Sequence, residues 1–318
     1  MINGKRNSMK QPSVNKLYRS QAPALSRRRV LFGLVTAGAG AAVGARADSD
    51  NKRGRILQRE LDDRHKYFLY APRDLRPDSP LVVSIHGISR NAREHVAAFT
   101  KLADRYGAVV LAPVFTDYRY GDYQRLGRRG RGSRADLALQ RLASHVIFEW
   151  GLASAKFYLY GHSGGAQFAH RYAMAYPRDV AGLGLSAAGW YTLPDPDLPY
   201  PYGIKPTSDS YGLTLDADEF LRVPACVFVG EDDVGRDGAF NRSEKLDLMQ
   251  GRNRIERAAY WVESMNRAAG ALGYNTRYAL HILPDADHDF EELVDAGLAR
   301  ELFACLFDGR ASPTAAHL

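Results

Sequence analysis

The stretch that most constrains this chain is Tyr158-Leu159-Tyr160-Gly161-His162-Ser163-Gly164-Gly165. Phe157, Leu159 and Tyr160 give its first part the apolar, aromatic character of a buried strand. Ala166, Phe168, Ala169 and Ala173 recur after it at roughly helical spacing. Strand must become helix within Gly161-His162-Ser163-Gly164-Gly165, which has the form G-x-S-x-G. A turn that sharp holds the serine in a strained backbone conformation and needs glycine where a Cβ would collide with the neighbouring chain. Ser163 is then presented at the carboxyl end of its strand. The pentapeptide alone also fits a flexible glycine loop closing a strand-turn-helix, so the surrounding chain has to decide.

Strand and helix patterns alternate through most of that chain. Lys66 to Tyr70, Leu81 to Ile85, Ala108 to Pro113, Ala181 to Ser186, Ala225 to Val229 and Arg277 to Leu283 read as strands. Leu81-Val-Val-Ser-Ile85 is a nearly continuous β-branched run, as expected of a strand covered on both faces. Helical spacing marks Val96, Phe99, Leu102 and Ala103, the stretch Leu137 to Trp150, the segment up to Tyr176, the segment Ile255 to Leu272, and a closing helix with Leu293, Leu298, Leu302 and Leu306. This alternation predicts an α/β fold with a mostly parallel central sheet and helices on both faces. Residues 190–223 carry no regular period but hold five prolines and several aromatic residues; a loop so long is usually functional, and a lid or substrate-binding wall is expected there.

The first 47 residues stand apart, with nine basic residues and no acidic one. Ser26-Arg-Arg-Arg-Val-Leu-Phe32 resembles a twin-arginine export signal, Val30 to Val43 is a short Gly/Ala-rich apolar run, and Ala45-Arg46-Ala47 has the A-x-A form of a signal-peptidase site. The run falls short of the roughly 20 apolar residues that span a bilayer, so no stable membrane anchor is expected after cleavage. The expected layout is a signal over 1–47, a flexible segment over 48–60, a catalytic domain over 61–310 with its excursion at 190–223, and a tail over 311–318. Export to the periplasm or beyond follows. The whole chain has 43 Lys+Arg against 36 Asp+Glu; without the signal 34 face 36, so the basic total gives no ground for nucleic-acid binding. Cys226 and Cys305 are read as buried small hydrophobes, with one bridge open to them in an oxidising compartment if their elements touch.

A serine hydroxyl becomes a useful nucleophile only when a base takes its proton, and histidine does so near neutral pH when a carboxylate fixes its tautomer. Past Ser163, the strand ending at Gly230 runs into Glu231-Asp232-Asp233, and the last strand runs into Pro284-Asp-Ala-Asp-His288. The order Ser163, Asp233, His288 places each candidate on a loop after a strand. Asp232 is the alternative acid. His281 lies inside its strand, and His145 and His170 lie in helices; these read as structural. The negative oxygen formed by attack needs donors. The N–H of Gly164 is one, and a second is expected from Ile88 or Ser89 after His86-Gly87. Trp190, Tyr191 and His162 are candidate substrate contacts. The loop with Tyr118, Tyr120, Tyr123 and Arg125, Arg128, Arg129, Arg131 and Arg134 reads either as a solvated loop or as an active-site rim. No metal-ligand spacing, P-loop or G-x-G-x-x-G fingerprint is found, and no cofactor is expected.

From about residue 61 to 308 the chain resembles the α/β-hydrolase superfamily. His86-Gly-Ile-Ser-Arg-Asn91, Gly189-Trp-Tyr-Thr192, Tyr202-Gly203 and Gly230-Glu-Asp-Asp-Val-Gly-Arg-Asp237 are similar to phrases in exported poly(3-hydroxybutyrate) depolymerases and feruloyl-esterase-like hydrolases. The resemblance implies an acyl-enzyme on Ser163 formed from a small or oligomeric ester and released by water through His288. Two other readings stay open: a peptidase or amidase with the same triad, and a catalytically silent periplasmic ligand-binding protein.

Overall fold

The computed structural model describes residues 52–127, 131–210, 212–236 and 238–308. The proposed signal over 1–47, the tail over 311–318, and Arg128, Arg129 and Asp237 lie outside the described residues. Strands β1 (Ile56–Asp62), β2 (His65–Tyr70), β3 (Leu81–Ile85), β4 (Val109–Pro113), β5 (Phe157–His162), β6 (Val180–Ser186), β7 (Ala225–Gly230) and β8 (Tyr278–Leu283) make one sheet in the order β1-β2-β4-β3-β5-β6-β7-β8. The pairs β1–β2 and β2–β4 are antiparallel, and all others are parallel. Helices α1 (Ala92–Tyr106), α2 (Asp117–Tyr120), α3 (Ala135–Glu149), α4 (Gly164–Ala175), α5 (Ala217–Phe220), α6 (Glu244–Gln250), α7 (Arg254–Ala271), α8 (Phe290–Asp295) and α9 (Leu298–Asp308) connect them.

Every residue of β3, β4 and β7 is buried, because helices cover both sheet faces. One face carries α3, α4 and α7, with Leu139, Leu142, Phe168, Tyr172, Trp261 and Met265 in its core. The other carries α1 and α9, with Val96, Phe99, Ala103, Leu302 and Phe303. The architecture is the α/β-hydrolase fold. No described helix is long and apolar enough to cross a membrane.

The chain runs from β3 outward to β4 and then returns to β5 on the opposite side of β3. Loops leaving β3 and β5 therefore diverge at a topological switch point, where open α/β sheets form their crevice. Gly87 lies just past the end of β3 and Ser163 directly follows β5; a Cβ placed on Gly87 would sit 3.4 Å from the Ser163 Cβ.

Three expectations need correction. Part of the segment expected to be flexible is β1, a half-buried edge strand whose Ile56-Leu57-Gln58-Arg59-Glu60-Leu61-Asp62 ladders onto β2. The closing helix is two helices, with Gly297 at φ 101° between them. Cys226 and Cys305 are joined as a disulfide with Cα atoms 6.6 Å apart, tying α9 to β7 across 79 residues of sequence. Closing a loop that long in the unfolded chain stabilises the fold by about 4.5 kcal/mol in the chain-entropy account.

The excursion over 190–223 is anchored onto the body of the fold. Thr192, Leu193, Tyr200 and Phe220 are buried, the Tyr200 hydroxyl donates to the Arg125 carbonyl, and Asp216 N–H donates to the Met174 carbonyl. An irregular segment in the interior must find partners for its peptide groups, and buried polar side chains supply them here. Arg257 donates to the Gly189 carbonyl, Trp261 Nε1 donates to the Thr192 carbonyl, and Gln250 pairs with both peptide groups of Tyr191.

Candidate active site

Strand β5 drives straight into α4, and the turn takes its strain at Ser163, with φ 51° and ψ −114°. A non-glycine residue at such φ is uncommon and costs on the order of 1–3 kcal/mol. Two contacts hold it there. The Ser163 N–H donates to the Ser186 carbonyl at 2.8 Å, extending the β5–β6 ladder by one bond. The glycines on either side let the chains close up: a Cβ on Gly165 would lie 2.1 Å from the Ile85 carbonyl oxygen, and one on Gly161 would lie 2.2 Å from that of Gly165. No side chain fits at either place.

His288 follows β8 and Asp233 follows β7, so three loops at one end of the sheet bring three side chains together. His288 Nε2 lies 3.0 Å from Ser163 Oγ, and His288 Nδ1 lies 3.0 Å from Asp233 Oδ2. Asp233 is buried while the imidazole is partly open to solvent. The carboxylate fixes the Nδ1–H tautomer, leaving Nε2 to accept the serine proton. Asp232, the alternative acid, lies on the exposed side of the turn.

One residue escaped the sequence reading. Arg254, the first residue of α7, is buried and donates from Nη1 to Asp233 Oδ1 at 2.9 Å. Asp233 is thus gripped on both oxygens, and a buried charge so paired avoids most of its desolvation cost. In sequence Arg254 is one arginine among many at a helix start; only the fold shows where it points.

The loop after β3 is held from behind. His86 is buried; its Nε2 accepts from the Phe115 N–H at 3.0 Å, so Nδ1 carries the proton and donates to the Gly87 carbonyl at 2.7 Å. The Arg90 N–H donates to the same carbonyl, and the Tyr123 hydroxyl donates to the His86 carbonyl. Because a trans peptide plane points its C=O and N–H in opposite directions, a Gly87 carbonyl held toward His86 turns the Ile88 N–H the other way. Gly87, Ile88, Ser89 and Ser163 all line one cleft of about 370 Å³, whose walls also include His162, His288 and Ala239. Gly164 begins α4, where first-turn N–H groups have no partner within the helix.

Of the expected substrate contacts, His162 lines this cleft, with Nδ1 3.0 Å from Ser186 Oγ and its ring centroid 5.3 Å from that of His288. Trp190 and Tyr191 do not. Tyr191 is fully buried and stacks on Trp261, and Trp190 is covered by the Arg171 guanidinium on one ring face at 4.3 Å. The backbone of Gly189, Tyr191 and Thr192 is tied by hydrogen bonds to Arg257, Gln250, His170 and Trp261, which sets both rings away from the cleft. In the tyrosine-arginine loop Tyr120 and Tyr123 are buried, Arg125 and Arg134 are half-buried, and Tyr118 and Arg131 are exposed. His281 stacks on Phe228 inside the sheet layer, His170 bridges the Ala166 carbonyl and the Thr192 N–H, and His145 is a half-buried helix residue against Glu149.

Burial keeps several of these imidazoles neutral. His86 is pushed down to about 4, and His95, His162 and His170 are held well below the usual histidine range, desolvation being the main cause in each. Their folded-state affinity for protons is lower than in the unfolded chain, so the unfolded state takes up protons first as pH falls below about 6.5. Stability is therefore full above that pH and lost from there down toward pH 4, at about 1.4 kcal/mol per pH unit for each such group. Urea unfolding at pH 5.0 and 7.5 should differ by several kcal/mol, with the acid sample the weaker; a difference below about 1 kcal/mol would show that these histidines are not neutral in the fold.

Residues 65–192 match the sequence family described as Esterase PHB depolymerase. That match includes Ser163 and the His86-Gly87 loop and stops before Asp233 and His288. Feruloyl esterase B of Talaromyces funiculosus is 29 % identical over 126 residues, which is 38 % of this chain and 35 % of that protein. The chain thus spans about a third of the length of that curated relative. Among solved structures, the poly(3-hydroxybutyrate) depolymerase of Bordetella parapertussis superposes with a TM-score of 0.65 and 26 % identity, covering 82 % of this chain and 92 % of that one. Poly(aspartic acid) hydrolase-1 of Sphingomonas sp. KT-1 gives a TM-score of 0.67 at 23 % identity, over 80 % and 99 % of the two chains. The protein is an α/β-hydrolase that resembles the PHB depolymerase esterases.

Proposed function

We propose that the protein is an exported serine esterase that cleaves carboxylic esters through an acyl-enzyme on Ser163. The observation that carries this reading is the unbroken hydrogen-bonded line from Ser163 Oγ through His288 to the buried Asp233, with both links at 3.0 Å. His288 Nε2 takes the Ser163 proton as Oγ bonds to the substrate carbonyl carbon. Asp233 steadies the imidazolium that results. The carbonyl oxygen, now negative, is met by the Gly164 N–H at the start of α4 and by the Ile88 N–H, which the clamped Gly87 carbonyl favours over Ser89. Collapse of the adduct breaks the C–O bond to the alcohol, which leaves with the proton from His288. Water then repeats the sequence in reverse roles, giving the carboxylic acid and free Ser163.

Ester chemistry is favoured over amide chemistry by the family match and by the feruloyl esterase B similarity. The Cys226–Cys305 disulfide supports the export half of the proposal, since such bridges persist in oxidising compartments. The test is covalent labelling with a fluorophosphonate followed by peptide mapping, alongside turnover of para-nitrophenyl butanoate and of the matching anilide. Phosphonylation at Ser163 and a preference for the ester of at least about a hundredfold in kcat/KM are expected. Equal turnover of the anilide would favour an amidase, and an unlabelled Ser163 in folded protein would favour the silent binding protein.

A further inference from the structure

The two loops that supply the oxyanion donors meet at one hydroxyl. Tyr123 opens a short 3-10 turn, Tyr123–Arg125, after α2; it is fully buried and does not line the cleft. Its hydroxyl donates to the His86 carbonyl at 3.0 Å, on the β3 side. On the α4 side, a Cβ placed on Gly164 would lie 2.7 Å from the same oxygen, so the hydroxyl rests against the Gly164 backbone. The His86 carbonyl itself presses on the first turn of α4, where a Cβ on Gly165 would lie 2.6 Å from its oxygen. The turn that carries Tyr123 is tied down on every side. Arg171 donates from Nη1 to the Gln124 carbonyl at 2.6 Å, and the Tyr200 hydroxyl donates to the Arg125 carbonyl at 2.9 Å. Arg90 lies over the Tyr123 ring, 4.8 Å from its centroid, while donating to the Phe115 carbonyl and the Asp117 carboxylate. Burial pushes the Tyr123 phenol up, so it keeps its proton and stays a donor.

We infer that Tyr123 is a positioning residue: its hydroxyl, wedged between the loop after β3 and the start of α4, sets the spacing of the Ile88 and Gly164 N–H donors. The inference rests on the esterase reading of the Ser163 cleft and adds to it a residue outside both the cleft and the triad. The Tyr123 bond holds the His86 carbonyl, and His86 Nδ1 with the Arg90 N–H holds the Gly87 carbonyl. Two successive peptide planes are thereby fixed, and the second of them aims the Ile88 N–H. Without the hydroxyl the first plane loses its clamp, and nothing fills the gap against Gly164. Donors stabilise an oxyanion only when they already stand at hydrogen-bond distance from where the charge develops. That charge is absent in the bound substrate, so misplaced donors slow the chemistry and leave substrate binding alone.

Tyr123→Phe removes the oxygen and keeps the ring. On para-nitrophenyl butanoate its kcat should fall at least about tenfold, part of the roughly 10²–10³ that loss of a whole donor costs, while KM stays within about twofold. Acylation and deacylation pass through the same oxyanion, so KM is spared whichever step limits turnover. Affinity for a trifluoromethyl ketone should fall by the same factor as kcat. There Ser163 Oγ bonds to the ketone carbon, the C=O π pair moves onto oxygen, His288 takes the hydroxyl proton, and the resulting anion sits between the same two donors. Gly164→Ala approaches the contact from the other side, because its Cβ would collide with the Tyr123 hydroxyl. The double variant Gly164→Ala with Tyr123→Phe should turn over at least about threefold faster than Gly164→Ala alone, although each single change is harmful. A Tyr123→Phe kcat within about threefold of native, or a loss carried by KM with ketone binding unmoved, would make Tyr123 a packing residue and overturn the inference. A double variant slower than Gly164→Ala by the full Tyr123→Phe factor would overturn it too, since the two sites would then act independently. Each of these leaves the esterase reading intact. A native protein that turns over no ester would sink that reading and the role of Tyr123 with it.

Discussion

Replacing Ser163 by alanine should cut ester turnover by a factor on the order of 10⁵ to 10⁶ in kcat, because the nucleophile of a triad acts as a unit with its base and nothing nearby can substitute for it. His162 and Ser89 line the same cleft, but the His288 Nε2 lone pair is directed at Ser163 Oγ, 3.0 Å away. The fold should survive. Alanine has the same Cβ at the same φ of 51°, so the strain at the turn is unchanged, and the N–H bond to the Ser186 carbonyl belongs to the backbone. Melting temperature should stay within a few degrees and the fluorophosphonate label should vanish. Ser163→Gly supplies a control of opposite sign: equally inactive, but more stable by about 1 kcal/mol, since glycine takes positive φ at no cost. Residual turnover within tenfold of native would place the nucleophile elsewhere.

The turn at Ser163 was legible in sequence because its requirements are local. Only glycine fits at 161 and 165, where a Cβ would overlap the opposing carbonyls, and the apolar run before and the helical spacing after fix what the turn connects. Buried parallel strands such as β3 and β7 show in the same way, as unbroken apolar runs. What stayed hidden depends on contacts distant in sequence. Strand β1 mixes Gln58, Arg59 and Glu60 with Ile56, Leu57 and Leu61, and an edge strand half open to water has no reason to look apolar. Trp190 and Tyr191 resemble a binding wall by composition; that they face inward follows from Arg171, Arg257 and Gln250 reaching them from other elements. Cys226 and Cys305 each suit a buried small residue, and only the packing of α9 on the sheet brings them together. The acid and base fell between these cases. Their order along the chain and their positions after strands were readable, and the sequence itself favours Asp233 over Asp232; the fold adds that it is Asp233 that faces His288 while Asp232 is exposed.

The grip on Asp233 gives the second large effect. Asp233→Asn should lower kcat by on the order of 10⁴ through the tautomer of His288 rather than through any loss of packing, since the amide is nearly isosteric with the carboxylate. The argument turns on Arg254. A guanidinium only donates, so the position now held by Asp233 Oδ1, 2.9 Å from Arg254 Nη1, must be taken by the amide oxygen. The amide nitrogen is then forced into the Oδ2 position, 3.0 Å from His288 Nδ1. Being a donor, it makes Nδ1 an acceptor and moves the ring proton to Nε2. In that tautomer the imidazole presents an N–H to Ser163 Oγ and cannot take its proton.

Arg254 should therefore make the Asn substitution worse than it need be, and this can be measured. Adding Arg254→Met to the D233N protein frees the amide to turn its oxygen toward His288 Nδ1 and restore the productive tautomer. At least about tenfold of the lost kcat should return, although the same Arg254→Met change in the native background should destabilise the fold by about 3–5 kcal/mol by leaving a buried carboxylate with one partner fewer. A second mutation that harms the native protein and rescues the first is a signature that neither simple loss of charge nor general loosening of the site produces. Asp232→Asn, on the exposed side of the same turn, should change kcat by less than a few-fold. If Arg254→Met gives no recovery in D233N, or if Asp232→Asn proves the more damaging single change, then Asp233 is not what orients the imidazole.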